Sequence, residues 1–248
     1  MRLLEESPRS EASPAPSVYF GTMEGAILVL DSGSPRVSVA VGQGGRVLAA
    51  CDREIARSSA LLLEMVDAVL HEAGIEVAAL SGVAALGGPG SFTGLRIGLA
   101  TVLGLHQALG LPATALPTLA VLAALAPARS GRTLGAVDSL RGEWAVEEWI
   151  DGIGQGMTLL PGPELAGFTS DGADIAIVGF GVSRLAELPG WPALSAKIRL
   201  IEPGPLAPAA LPLLAALPAS GWDPALLSAP IYARPPAVTA PSPRRAGR

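Results

Sequence analysis

Two short stretches of this 248-residue chain combine residue types and spacing that could do chemistry. Asp31-Ser32-Gly33-Ser34 ends the apolar run AILVLDS. A carboxylate there can orient a metal-bound water, while Gly33 and the two hydroxyls can turn N–H and O–H groups toward an anion. The same four residues also suit a plain hairpin turn, because Asp, Ser and Gly favour turns for local reasons. The second stretch is GGPGSFTGLRIG, residues 87–98, a glycine-rich loop opening into an apolar helix. Free N–H groups at a helix start bind anions, which makes Gly90, Ser91, Thr93 and Arg96 candidate contacts beside Asp31, Ser32, Gly33 and Ser34. The loop is neither a P-loop, which needs Gly-Lys-Ser/Thr, nor a GxGxxG turn, since Thr93 holds the third glycine position.

Other chemistry has few candidates. His71 and His106 share no metal-ligand spacing, Lys197 is the single lysine, and nothing in the pattern gathers a Ser-His-Asp site. Neither catalytic residues nor a metal site is expected. His71 falls on the polar side of its helix, where a solvated ring is the expectation. Cys51 stands alone, which excludes an internal disulfide and suits a reducing compartment.

The elements that must position these groups follow from periodicity. AILVLDS, RVSVAVG and RVLAACDRE read as three strands, and residues 59–73 as a helix. Ser58 or Ser59 can cap that helix, Leu62, Val66, Val69, Leu70 and Ala73 form its apolar stripe, and Gly74 ends it. GVAALGG is a fourth strand and residues 93–109 a second helix. The order βββαβα then recurs: TLGAVDS, EWAVEEWI and GMTLLPG as strands, PELAGF as a short helix, ADIAIVGFG as a strand, and a helix from Ser183. Each half ends its first strand in Asp-Ser, so Asp31 corresponds to Asp138. Two βββαβα lobes around a cleft define an α/β, two-lobed actin-like and sugar-kinase-like fold, in which the turn after the first strand meets nucleotide phosphate. The expected division is 23–112 for the first lobe and 113–234 for the second, flanked by a disordered extension at 1–22 and a loose tail at 235–248.

The glycines of the second helix call for a reason of their own. Gly94 and Gly98 lie four apart, and Ala100, Gly104 and Ala108 form another small row. Glycine inside a helix costs about 1 kcal/mol against alanine, so close backbone approach is the simplest compensation. With Leu95, Leu99, Val102 and Leu103 on the other side, the helix is built for burial on two faces, one inside the chain and one against a partner or a further internal element.

Composition bounds the function. Hydrophobic residues make up 50% of the chain and charged ones 16%, which marks a globular protein. Gly and Pro number 30 and 23, so breaks must be frequent. A net charge of −5 disfavours an independent grip on nucleic-acid backbone. The uncharged stretches 107–128 and 203–222 are interrupted by prolines and read as buried elements rather than membrane spans. The N-terminus lacks a signal-peptide apolar core, and the expected location is cytoplasmic.

The runs LDSGSPRVSVAV, RSSALLLEMVDAVLHEAGI, GGPGSFTGLRIGLATVLGLHQALGLPATALPTLAVLA, VDSLRGE and PIYARPP, in this order, resemble the TsaB (YeaZ) family. The resemblance implies a non-catalytic subunit that pairs with a TsaD-like transferase, joined by a TsaE-like ATPase, in threonylcarbamoyl modification of a tRNA adenosine next to the anticodon. It implies that the tRNA is held mainly through the complex, and that the pairing surface uses the helices at 59–73 and 93–109. On those helices Leu62, Val66, Val69, Leu95, Leu99, Val102 and Leu103 are the expected contacts. It also leaves room for a homodimer of the isolated chain and for ATP or ADP near the partner interface. The family's second-lobe motif Asp-Ala-Arg-Arg reads Asp138-Ser139-Leu140-Arg141 here, and Asp138, Arg141 and Glu143 are its candidate positions. The alternative is an independent actin-like ATPase or small-molecule kinase using Asp31 and Asp138; a peptidase has too few candidate ligands.

Overall fold

A computed structural model describes residues 25–54, 59–127, 130–140, 142–169, 174–188, 191 and 198–234. The expectations for the extension at 1–22, the tail at 235–248, Ser58, Arg141 and Lys197 lie outside the described residues.

The first lobe opens with β1 (Ala26–Asp31), β2 (Arg36–Gln43) and β3 (Arg46–Glu54), followed by α1 (Ser59–Ala73), β4 (Leu80–Gly88), α2 (Phe92–Leu109) and β5 (Ala113–Pro117). Then α3 (Thr118–Ala124) leads into β6 (Arg132–Asp138), β7 (Glu143–Ile150), β8 (Ile153–Pro161), β9 (Ile175–Val178), β10 (Ile198–Ile201) and α4 (Leu206–Ala216). Among the described residues the strands form two five-stranded sheets, ordered β3-β2-β1-β4-β5 and β10-β9-β6-β7-β8. Both use one plan. A central first strand pairs antiparallel with its hairpin partner and parallel with the fourth strand of its lobe. This duplicated topology is the two-lobed actin-like, sugar-kinase-like fold.

Alternation builds the layers. On β1, Leu28 and Leu30 face α1 and α2, forming one core with Leu62, Val66, Val69, Leu95, Leu99 and Val102. Ile27 and Val29 face the other way, into a second core with Leu119 and Leu122 of α3, Leu211 and Leu214 of α4, and Val178 of β9. That second core therefore joins the lobes. A third core, around Leu134, Trp144, Ile175 and Leu185, belongs to the second lobe.

The structure redraws one lobe boundary and two helices. Residues 113–117, counted above with the second lobe, pair in parallel with β4 and complete the first sheet. The helices expected at PELAGF and from Ser183 are 3₁₀ turns, Gly162–Thr169 and Val182–Glu187. The apolar stretch 203–222 contains α4, which packs back on β1, β2 and β3 of the first sheet. Pro212 inside α4 lacks only its own N–H bond, and burial of Leu206, Ala210, Leu211 and Leu214 outweighs that loss. Among the described residues no helix is long and apolar enough to cross a membrane.

Candidate functional site

Both chemistry-bearing stretches meet at one place, where the turn after β1 packs against the start of α2. Asp31 is 0% exposed, and its Oδ1 accepts hydrogen bonds from the amides of Gly33 (3.1 Å) and Ser34 (3.2 Å). Its Oδ2 is buried without a partner. Burial pushes the Asp31 carboxyl up to about 6, with the Ser34 hydroxyl and the Ser34 and Gly33 amides holding it back. The Ser32 hydroxyl donates to the Gly94 carbonyl (2.8 Å), and the Ser91 amide donates to the Gly33 carbonyl (2.8 Å). Ser91 caps α2 by accepting from the Gly94 amide (3.4 Å), and Gly110 closes the helix in the left-handed conformation.

This geometry narrows the anion expectation to the candidate groups that the loop pair leaves unbonded. The amides of Gly33, Ser34, Ser91 and Gly94 and the Ser32 hydroxyl are spent within the loop pair, and Asp31 faces protein rather than solvent. The glycines serve the contact itself: a methyl group on Gly94 or Gly98 would overlap Ser32, and one on Gly90 would crowd the Gly33 carbonyl.

Above this contact an interlobe cleft of about 490 Å³ opens. Gly33, Ser34, Gly90, Ser91 and Thr93 line its first-lobe wall; Asp138, Ser139 and Leu140 line the second-lobe wall. Asp138 repeats the Asp31 turn, its Oδ1 accepting the Leu140 amide (2.7 Å), while its Oδ2 pairs with Arg184 (2.8 Å). The correspondence of the two aspartates therefore holds. Leu140 stands 72% exposed at the tip, with a positive φ of 62°. Arg96 lies outside, stacked over the Phe92 ring at 4.0 Å and donating to the Tyr232 hydroxyl (3.1 Å). Glu143 pairs with Arg234.

Sequence reasoning missed Phe92, Phe180, Tyr232 and Arg234, all of which line the cleft. The chain has only four Phe and two Tyr, so three of these six at one cleft is a concentration that no local pattern announces. Among the described residues, no group of three or more His, Cys, Asp or Glu could hold a metal ion.

The helices tell a second story. Leu62, Val66, Val69, Leu95, Leu99 and Val102, expected at a partner interface, are each 3% exposed or less and pack on the first sheet. Leu103 is half-buried against the same core. The six buried side chains are unavailable to another protein. What α1 and α2 present outward is different: Leu63, Glu64, Asp67 and Ala68 on α1, and Ala100, Gly104 and Ala108 on α2. At Gly104 a methyl group would meet nothing within 4 Å, so the backbone is bare there. One small-residue row thus packs inside, and the other faces out.

Comparison with known proteins supplies the decisive likeness. YeaZ from Pseudomonas aeruginosa superposes with a TM-score of 0.64 at 29% identity, covering 77% of this chain and 91% of that one. A second structure, an uncharacterized protein with similarity to peptidase YEAZ from Pseudomonas aeruginosa, gives 0.62 at 27% identity over 76% and 90%. The Escherichia coli strain K12 tRNA threonylcarbamoyladenosine biosynthesis protein TsaB is 36% identical over 126 residues. The chain is similar to the TsaB (YeaZ) proteins in both sequence and fold. The alignment to TsaB spans 48% of this chain and about half, 53%, of that curated relative. A family model described as TsaD, tRNA N6-adenosine threonylcarbamoyltransferase, matches residues 54–143. That region contains both α1 and α2.

Proposed function

We propose that this chain is a non-catalytic subunit in tRNA threonylcarbamoyladenosine biosynthesis, pairing with a TsaD-like transferase through the solvent-facing sides of α1 and α2. The observation that carries the reading is the bare row Ala100, Gly104 and Ala108. Small residues four apart let a second helix backbone come close, and the absence of large side chains lowers the ordering cost of that contact. Leu63, 48% exposed on α1, adds an apolar anchor beside it. The pathway is taken from the name of the Escherichia coli relative, and the partner from the TsaB family's implied assembly.

The cleft favours a supporting role over independent catalysis. Asp31, one of the two aspartates that a kinase or ATPase reading needs, is sealed in its turn, while Asp138 pairs with Arg184 at the surface. ATP or ADP bound beside the partner interface remains compatible with this reading, as does a TsaE-like ATPase joining the complex. A homodimer through the same outer face would compete with the transferase for it. Purifying the chain from its native cell under mild conditions tests the proposal. Recovery of a TsaD-like transferase in near-equal amount is expected; a chain that elutes alone and turns over ATP would overturn it in favour of the actin-like ATPase.

A further inference from the structure

The run PIYAR near the C-terminus has no place in the pairing reading, yet successive residues of it tie together both sides of the cleft. The Ile231 amide donates to the Gly87 carbonyl at the end of β4 (2.8 Å). Gly88 is open to it, for a methyl group there would overlap the Ile231 carbonyl. Tyr232 stacks on Phe92 at 5.0 Å between ring centroids and accepts from Arg96, both on the first turns of α2. Two residues on, Arg234 crosses to the second lobe and pairs with Glu143 at the start of β7.

Glu143 is the base of the β6–β7 turn. Its carbonyl accepts from both the amide and the hydroxyl of Ser139 (2.9 Å each), and Ser139 with Asp138 and Leu140 forms the second-lobe wall of the cleft. The lobes share the core of α3 and α4, against which the cleft residues Val137 and Phe180 also pack. The Arg234–Glu143 pair sits at the rim instead, with side chains about one-third exposed, 33% and 32%. A pair so exposed is weak and readily released.

We infer that residues 231–234 form an interlobe strap, in which the Arg234–Glu143 pair holds the β6–β7 turn against the start of α2 and sets the width of the cleft. Such a strap differs from a C-terminus that is merely tied down, because its release acts on two separate segments, 89–93 and 138–144, while the sheets stay intact.

Hydrogen exchange on the full chain tests this, with Arg234→Glu, Glu143→Arg, the double exchange, and the milder Arg234→Gln. In each single variant the amides of 90–93 and of the described residues of 138–144 are expected to exchange roughly three- to tenfold faster, those of β1 and β9 unchanged. The double exchange restores both segments. Unchanged rates in the single variants, acceleration of one segment alone, or failure of the double exchange to restore them overturns the strap. Equal acceleration in β1 and β9, in Arg234→Gln as in the reversals, also overturns it, since the pair would then support the whole fold rather than the cleft.

Discussion

Gly94 on α2 lies against the carbonyl of Ser32 so closely that a single methyl group would overlap that oxygen. The contact is backbone on backbone, between the turn of one strand and the first turn of a helix, and Ser32 returns a hydrogen bond to the Gly94 carbonyl. Everything the loop GGPGSFTG does follows from this approach. Its glycines bring α2 onto the β1–β2 turn, and the resulting hydrogen bonds take up the amides of Gly33, Ser34, Ser91 and Gly94.

Gly94→Ala should therefore destabilise the chain. Neither the Ser32 carbonyl nor the helix can yield without moving backbone, and overpacking of this kind costs about 1–3 kcal/mol. A lowered denaturation midpoint in urea, with an unchanged slope, is the expected result. Gly104→Ala provides the contrast. Nothing lies within 4 Å of its side-chain position, so the isolated chain should gain about 0.5–1 kcal/mol from helix propensity.

Asp31 makes stability depend on pH. Its carboxyl is raised to about 6 in the folded chain against an ordinary value near 3.8, so the folded state binds the proton more tightly. Stability from this group is full below about pH 4 and is lost as the pH rises through about 6. The difference, on the order of 3 kcal/mol, follows from about two pKa units at 1.36 kcal/mol each. Asp31→Asn keeps an acceptor for the Gly33 and Ser34 amides and removes the charge. Urea unfolding should find the variant more stable than the parent at pH 8 and close to it at pH 4.

Much of this architecture is legible in the sequence, and the reasons are local. β1 and β2 show unbroken or alternating apolar runs, Gly74 and Gly110 stop their helices with left-handed backbone, and Asp-Ser marks the same turn in both halves. The helical stripe of Leu62, Val66, Leu95 and Leu99 is equally visible, yet period alone cannot say what covers it. The chain's own first sheet does, and what α2 turns to solvent is instead the row without bulk. Long-range placement was hidden too. Nothing local in 203–222 says that α4 returns to the first sheet, or that PIYAR reaches the cleft with Tyr232 and Arg234.

Charged substitutions on the buried stripe should accordingly act on folding. Leu99→Asp or Val66→Asp puts an unpaired carboxylate into the first-lobe core, at a cost of several kcal/mol. Loss of the cooperative thermal transition in the isolated chain, before any partner is added, is the outcome to look for.

The central claim is that the bare face of α2 seats a TsaD-like transferase, and Gly104→Arg tests it most directly. An arginine there meets open solvent in the isolated chain, so its melting temperature should stay within a few degrees of the parent's. Mixed with the transferase and resolved by size-exclusion chromatography, the parent should elute as a near-equimolar complex and Gly104→Arg as a free chain. Co-elution of the folded Gly104→Arg variant in the parent's proportion would contradict the account.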